Sequence, residues 1–203
     1  IDQGIEKYSL ERTMTAVQRA DIVLLLIDAV EGITAQDLHI LGLAHKAAKG
    51  AILTVNKWDL AQSTDMDAWR QVVKRRIRFM PYIEILFISA KTGYGVKRIL
   101  PAVNRIYEER HKIMPSELLH DLVQEVAASQ GTPRKGAVRL KIFGVSQTAV
   151  NPPTVVFDVN DASLVHFSFR RHLENRIRQL FGFGGTAVRL VFRSRLKERR
   201  RKG

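Results

Sequence analysis

Residues 51–59 read Ala51-Ile52-Leu53-Thr54-Val55-Asn56-Lys57-Trp58-Asp59, an apolar run that ends in the box Asn-Lys-Trp-Asp. A second apolar run, Ile83-Glu84-Ile85-Leu86-Phe87-Ile88, ends in Ser89-Ala90-Lys91. Short apolar runs bounded by polar residues predict buried strands. Because ligands of parallel sheets bind beyond the carboxyl ends of the strands, we expect both polar boxes to lie at one edge of a sheet.

The two boxes together are typical of a site that reads a guanine base. A carboxylate at Asp59 can accept hydrogen bonds from both N1–H and N2–H of guanine, whereas adenine presents an acceptor at N1. The stem of Lys57 can lie along the base, and the amide of Asn56 can tie its loop to neighbouring segments. The predicted guanine-binding residues are Asn56, Lys57, Asp59, Ser89, Ala90 and Lys91, with the Ala90 N–H as the donor to O6. The alternative is a surface loop with an Asx turn.

The residues that would hold phosphate and metal are not found in this sequence. It contains no string of the form G-x-x-x-x-G-K-[S/T] and no D-x-x-G, since Asp2-Gln3-Gly4 is one residue short. In P-loop proteins these residues bind the phosphates and Mg²⁺. Asp28 also follows an apolar run, and we interpret it as a turn residue rather than a metal ligand. The sequence therefore predicts no catalytic residue and no metal ligand, and it leaves open whether this chain binds or hydrolyses a nucleotide.

The order of the segments predicts an α/β protein with two domains and a tail. Residues 1–114 alternate helical and apolar segments, which predicts a parallel sheet with helices packed on it. The run Ile22–Ile27 predicts a strand buried on both faces, and Thr34 predicts the cap of a helix that runs through Lys49 and closes at Gly50. Residues 115–192 predict a smaller α+β domain in the order α-β-β-α-β, and residues 193–203 a basic tail.

The composition of the chain excludes some kinds of site and favours one kind of partner. The 203 residues include no cysteine, which excludes disulfides and cysteine metal sites. The longest apolar run is far too short to span a bilayer, so no membrane partner is expected. The net charge of +13 divides into +4 for residues 1–114 and +9 for residues 115–203. An excess of positive charge of this size favours polyanionic partners.

Several segments resemble the EngA (Der) family, and the similarity covers essentially the whole chain. The segments that carry it are Gly4-Ile5-Glu6-Lys7-Tyr8-Ser9, Glu11-Arg12-Thr13, Ala20-Asp21-Ile22-Val23-Leu24-Leu25-Leu26-Ile27-Asp28-Ala29, Glu31-Gly32-Ile33-Thr34, Gln36-Asp37, Asn151-Pro152-Pro153-Thr154, His166-Phe167-Ser168, Arg171-His172-Leu173-Glu174-Asn175, Phe181-Gly182-Phe183 and Gly185-Thr186. The first part is similar to the region past switch II of the second G domain, and the last part to the KH-like domain.

The resemblance implies the C-terminal portion of a cytoplasmic GTPase that acts in assembly of the large ribosomal subunit. It implies a partial P-loop-type G domain at 1–114 without the P-loop, switch I and D-x-x-G, followed by a KH-like domain at 115–192. The implied cofactors are GTP or GDP with Mg²⁺ in the intact protein. The implied partners are the large subunit, its ribosomal RNA and, within the intact protein, the other G domain. Alternatives are an RNA-binding module without nucleotide chemistry and a general basic nucleic-acid binder.

Two features bear on RNA contact. KH domains clamp RNA through a G-x-x-G loop between two helices. Gly182-Phe183-Gly184-Gly185 matches that string but lies between a predicted helix and a strand, so we interpret it as a helix end and turn. The basic tail is the predicted RNA or ribosome contact, with a merely solubilising end as the alternative. Its residues are Arg193, Arg195, Lys197, Arg199, Arg200, Arg201 and Lys202.

Overall fold

The structure is a computed structural model that describes residues 2–61, 65–129 and 131–195. The chain divides into two compact units. Unit 1 comprises Ile1–His111 and Phe183–Ala187, and unit 2 comprises Lys112–Gly182 and Val188–Gly203. Unit 1 therefore includes a short segment that follows most of unit 2 in the sequence.

Unit 1 alternates helices with parallel strands, as the sequence predicts. Its elements are α1 (Asp2–Arg19), β1 (Ile22–Asp28), α2 (Ala35–Lys46), β2 (Gly50–Asn56), a 3₁₀ turn (Trp58–Leu60), α3 (Met66–Arg76), β3 (Glu84–Phe87), a second 3₁₀ turn (Val96–Arg98) and α4 (Ile99–Arg110).

The three strands form a parallel sheet in the order β1-β2-β3. The central strand β2 is almost fully buried, and Leu53 packs with Leu41 of α2 and Val73 of α3 in the main core. The prediction that β1 is buried on both faces is wrong: Leu24 is 36% and Leu26 51% exposed. The reason is that β1 is an edge strand of the described sheet, and one of its faces is left uncovered by the described residues.

The predicted start of α2 is confirmed, whereas its end differs. The Thr34 hydroxyl accepts from the Asp37 amide, and the Asp37 carboxylate accepts from the Thr34 amide, a reciprocal capping box. The helix ends at Lys46, and Ala48 takes the left-handed conformation at φ 53° that the sequence assigned to Gly50. Gly50 instead begins β2, where a Cβ would come 2.8 Å from Ile106.

The segment Phe183–Ala187 extends unit 1 beside the start of β2. The Ala51 amide donates to the Gly185 carbonyl at 2.7 Å, and the Gly185 amide donates to the Tyr82 carbonyl at 2.8 Å. Arg110, at the end of α4, is only 1% exposed and donates to the Ala48 carbonyl and the Thr186 hydroxyl. Backbone pairing and a buried guanidinium therefore hold this segment within unit 1.

Unit 2 is a smaller α+β fold. Its elements are α5 (Ser116–Ser129), β4 (Arg134–Lys135), β5 (Val138–Arg139), β6 (Ile142–Val150), β7 (Pro153–Val159), a 3₁₀ turn (Ala162–Leu164), α6 (Phe167–Phe181) and β8 (Arg189–Ser194). Strands β6 and β7 are antiparallel, and β7 and β8 are parallel. The predicted order α-β-β-α-β describes α5, β6, β7, α6 and β8. The hairpin of β4 and β5 was not predicted, because two-residue strands have no readable alternation.

The last strand of unit 2 runs further than the sequence suggested. Arg193 and Ser194 continue β8 and pair with Asp158 and Val159. The Arg193 Nε donates to the Asp158 carboxylate at 2.8 Å, so an ion pair supports the extension. The expected tail from Arg193 therefore does not begin there.

Candidate guanine-binding site

The two polar boxes lie side by side at one edge of the sheet of unit 1. Val55 of β2 is in register with Phe87 of β3, so the loops that follow both strands leave the same edge. Backbone hydrogen bonds join the loops, from the Ile88 amide to the Val55 carbonyl at 2.8 Å and from the Trp58 amide to the Ile88 carbonyl at 3.0 Å. The parallel topology thus brings together two boxes that are well separated in the sequence.

Asn56 connects the two loops through its side chain. Its Oδ1 accepts a hydrogen bond from the Ala90 amide at 3.0 Å. This is the amide that the sequence assigns to guanine O6. In the described structure it already donates to Asn56, so a contact with O6 requires the amide to share its proton or to change acceptor.

Asp59 carries a buried oxygen atom without a partner. Its Oδ1 is excluded from solvent and has no hydrogen-bond partner in the described structure. The residue lines a cavity of about 400 Å³ together with Trp58, Met66, Thr92 and Tyr94. An unsatisfied buried acceptor costs roughly 1–3 kcal/mol, and more when it is charged. A ligand that presents N–H donors in this cavity would remove that cost.

Lys57 is held by an ion pair that the sequence did not predict. It stands in the left-handed conformation at φ 60°, and its Nζ lies 2.6 Å from Asp28 Oδ2. This hydrogen bond raises the pKa of Lys57 and is the main cause that lowers the pKa of Asp28. Asp28 also accepts from the Val30 amide at 2.8 Å, which is the turn role that the sequence suggested. The sequence shows that Asp28 and Asn56 each end an apolar run, but the pairing of these two strand ends, in register, is seen only in the structure.

The Ser89–Lys91 loop is shaped mainly by backbone contacts. Ser89 is fully buried, its amide donates to the Tyr94 carbonyl at 2.9 Å, and its Oγ accepts from the Thr92 amide at 3.1 Å. Gly95 has φ +70°, and a Cβ there would lie 2.3 Å from the Phe87 carbonyl oxygen. Lys91 is exposed. The loop therefore presents its backbone, with Ser89 as an internal brace.

Aromatic packing fixes the turn that carries Asp59. The Trp58 ring lies 4.4 Å from the Phe87 ring and 6.4 Å from the Trp69 ring, measured between centroids. Trp58 occupies the variable position of the Asn-Lys-x-Asp box, so the motif gave no reason to assign it a role. It anchors the turn on β3 and α3.

The predicted RNA-contacting residues are only partly within the described chain. Arg193 pairs with Asp158, and the guanidinium of Arg195 lies 5.1 Å from the centroid of the Phe143 ring. The other predicted residues, Lys197, Arg199, Arg200, Arg201 and Lys202, lie outside the described residues.

Within residues 2–61, 65–129 and 131–195, no group of three or more His, Asp or Glu side chains is placed to hold a metal ion. In the same ranges, no helix combines the length and the apolar character that a bilayer crossing requires.

Comparison with known proteins identifies both parts of the chain. The family model of the elongation factor Tu GTP-binding domain matches residues 3–109. The model described as the KH-domain-like region of EngA bacterial GTPase enzymes, C-terminal, matches residues 114–193. The GTPase Der of Agathobacter rectalis is 44% identical over 197 residues. The chain belongs to the EngA (Der) family of bacterial GTPases.

Other EngA relatives match over the same extent. The GTPase Der of Lachnospira eligens is 43% identical over 197 residues. Both alignments cover 96% of this chain and 45% of the relative, so the chain spans less than half the length of these EngA proteins. A crystal structure of Era with MgGDPNP and a segment of 16S ribosomal RNA matches with 18% sequence identity and a TM-score of 0.39, over 93% of this chain and 70% of that one. At a TM-score this low, the superposition carries no argument about function.

Proposed function

We propose that unit 1 carries the guanine-reading part of a GTP-binding site. The observation that carries this proposal is the buried Oδ1 of Asp59, which has no partner in the described structure and belongs to a residue that lines a cavity. Guanine would donate N1–H and N2–H to this carboxylate, whereas adenine would place a lone pair against it. The proposed guanine-binding residues are Asn56, Lys57, Asp59, Ser89, Ala90 and Lys91.

Recognition of the base is the part of the chemistry that we assign to this chain. Its sequence contains no G-x-x-x-x-G-K-[S/T] string and no D-x-x-G. We therefore assign phosphate binding, Mg²⁺ coordination and GTP hydrolysis to the longer protein in which this chain would act as its relatives do. In that protein Mg²⁺ would neutralise charge on the phosphates.

For unit 2 we propose docking on the large ribosomal subunit through ribosomal RNA, in the cytoplasm, as part of subunit assembly. The net charge of +9 on residues 115–203 supports a polyanionic partner. The basic residues proposed for this contact are Arg193, Arg195, Lys197, Arg199, Arg200, Arg201 and Lys202. In the intact protein, the other G domain would be an intramolecular partner.

A second candidate function is an RNA-binding module without nucleotide chemistry. It is favoured by one observation, which is that two of the proposed guanine contacts already have protein partners. The Ala90 amide donates to Asn56, and the Lys57 ammonium pairs with Asp28.

A titration with fluorescent GDP, in competition with GDP and ADP, tests whether this chain alone recognises guanine. Guanine-selective binding by this chain supports the first function, whereas without binding the decision passes to a longer protein that supplies phosphate binding. The sharper test uses Asp59→Asn in a longer protein that includes a phosphate-binding loop. It should shift preference from GTP to xanthosine triphosphate, because xanthine has a carbonyl where guanine has its amino group. Asp67→Asn, which removes an exposed carboxylate of α3, is the matched control. Retained guanine preference in Asp59→Asn would reject the assignment.

A further inference from the structure

The hairpin of unit 2 places two arginines directly opposite each other. Arg134 of β4 and Arg139 of β5 are cross-strand partners, and Lys135 faces Val138 in the next pair. Side chains of successive pairs point to opposite faces of a ladder, so the two arginines share one face and Lys135 lies on the other. Like charges directly opposite in an antiparallel pair are destabilising. The fold therefore keeps an unfavourable arrangement at this position.

The described protein does not neutralise these two charges. Neither the Arg134 nor the Arg139 guanidinium has a hydrogen bond or an ion pair with any residue that the structure describes. Lys135 differs, because it lies near Asp161. The pKa of Asp161 is lowered mainly by hydrogen bonds from Ser163 and in part by the charge of Lys135. The two arginines are thus the cations of this hairpin without a protein counter-charge among the described residues.

Both arginines line a concave site. A cavity of about 450 Å³ lies between the hairpin and the start of α6, with Arg134, Arg139, His166 and Ser168 among its lining residues. His166 is the N-cap of α6 and makes no side-chain capping bond. The two arginine side chains offer the cavity hydrogen-bond donors alone, since a guanidinium has five N–H groups and no acceptor. A site of this kind favours an anion, and guanidinium groups match phosphate in particular.

An exposed aromatic residue lies next in the sequence to residues that line the cavity. Phe167 lies between the two lining residues His166 and Ser168, and it is 76% exposed. Phe169, two positions later, is buried at 7% and belongs to the core. The core of unit 2 therefore makes little use of Phe167. Exposed aromatic rings beside basic groups are the platforms on which proteins stack the unpaired bases of RNA.

We propose that this cavity is a binding site for single-stranded RNA, in which Arg134 and Arg139 bind a backbone phosphate and Phe167 stacks on an adjacent unpaired base. The proposal rests on the RNA docking proposed above and locates it outside the basic tail. It also separates the site from the Gly182–Gly185 string, which lies at the opposite end of α6. An acidic peptide or a free anion would use the arginines but not the aromatic ring, and a duplex would offer no free base face.

The test measures binding of the whole chain to a fluorescein-labelled RNA of roughly 12 unpaired nucleotides, by fluorescence anisotropy at several salt concentrations. The first variant is Arg134→Gln with Arg139→Gln. Its matched control is Lys135→Gln, which removes a charge from the other face of the same hairpin. The second variant is Phe167→Leu, which keeps an apolar side chain and removes the ring. Circular dichroism checks that all three chains are folded.

Four results are expected if the proposal is right. The double arginine variant weakens binding and flattens its salt dependence, with the log–log slope falling by roughly 0.7 for each phosphate that the variant no longer binds. Phe167→Leu weakens binding by roughly 5- to 100-fold with little change of slope, because stacking is not ionic. Annealing a complementary strand to the RNA removes the effect of Phe167→Leu. Lys135→Gln should stay close to the unaltered chain.

The outcomes that overturn the proposal differ from those that overturn the docking function. If the unaltered chain binds neither the RNA nor isolated large ribosomal subunits, the docking function fails. If the unaltered chain binds but both variants bind equally well, docking stands and this site is wrong. If Lys135→Gln weakens binding as much as the arginine changes do, only the net charge of the hairpin matters, and the site is again wrong. Weaker binding by the arginine variant alone, with Phe167→Leu unchanged, would leave an anion site without base recognition and would overturn the proposal as stated.

Discussion

The ammonium of Lys57 lies 2.6 Å from a carboxylate oxygen of Asp28, so an ion pair joins the ends of two neighbouring strands at the candidate site. Lys57 is also one of three residues other than glycine with positive φ within the described chain. Both constraints fix the side chain that we propose lies along the guanine base. Asp28 is therefore a positioning residue for Lys57.

Replacing Asp28 with asparagine should weaken guanine nucleotide binding by about two- to fivefold, the range of an exposed ion pair. The effect should decrease as salt rises, because an exposed pair is screened. Fluorescent GDP titrations at low and high salt, in a chain that binds the nucleotide, provide the measurement. An equal loss at both salt concentrations would mean that the turn at Val30, and not the ion pair, is what the substitution disturbs.

The same pair predicts how stability depends on pH. The pKa of Asp28 is lowered below its ordinary 3.8. The contribution of Asp28 to the free energy of unfolding is therefore present above pH 3.8 and is lost as the pH falls through the folded-state pKa. The pKa of Lys57 is raised above its ordinary 10.5. The contribution of Lys57 to the free energy of unfolding is therefore present below pH 10.5 and is lost as the pH rises through the folded-state pKa. The difference in free energy of unfolding between the unaltered chain and Asp28→Asn should thus be constant over the neutral range and shrink at both extremes. Urea unfolding across pH measures it, and a difference that varies near neutral pH would contradict the assignment.

Gly95→Ala and Gly93→Ala form a matched pair in the loop that follows Ser89. Both positions have positive φ, +70° at Gly95 and +81° at Gly93. A Cβ added at Gly95 would lie 2.3 Å from the Phe87 carbonyl oxygen, whereas a Cβ added at Gly93 would have open space within 4 Å. Gly93→Ala should cost only the left-handed strain, about 1–2 kcal/mol. Gly95→Ala should cost more, because the backbone of β3 has to move. Similar losses in thermal unfolding would show that the loop adapts freely.

Arg110→Lys should destabilise unit 1 by about 1.5–3 kcal/mol for each charged hydrogen bond that the lysine does not restore. Arg110 is buried, its pKa is lowered by that burial, and it donates to both Ala48 and Thr186. Arg105→Lys on the same helix is the control, since Arg105 is more than half exposed and pairs with Glu84 at the surface. Its expected cost is about 0–1 kcal/mol. Equal effects in chemical unfolding would mean that the Arg110 hydrogen bonds contribute no more than a surface pair.

Arg134→Gln should stabilise unit 2 in the absence of RNA. Removing one of two like charges that face each other across the hairpin should raise the free energy of unfolding by about 0.2–1 kcal/mol. The gain should shrink as salt rises. A loss of stability at low salt would show that the arginine has a structural partner and would weaken the case for a binding site.

The sequence predicts the sheet edge of unit 1 well, because buried strands and capping residues leave strong local signals. The helix cap at Thr34 is confirmed, and the two apolar runs that precede the polar boxes are parallel neighbours. The burial of β1 was wrong, because an apolar run does not reveal whether its strand is central or at the edge. The contacts that occupy Ala90 and Lys57 depend on register across strands, and no local pattern encodes that.

The sequence predicts less of unit 2. The order of its main helices and strands is right, but the β4–β5 hairpin was missed, since its strands are only two residues long. Arg134 and Arg139 are close in the sequence, yet nothing in it shows that they oppose each other across a hairpin. The sequence also does not predict that Phe167 is exposed, because an aromatic residue in an amphipathic helix is usually part of the core.

The segment Phe183–Ala187 has a consequence for the order of events during synthesis. A ribosome makes the chain in order of its sequence, and the partners that this segment gives to Ala51, Tyr82 and Arg110 are made after most of unit 2. Unit 1 is therefore the first to emerge but is completed only after Ala187 has emerged as well. Until then, the start of its central strand and a buried arginine lack partners that they have in the finished fold.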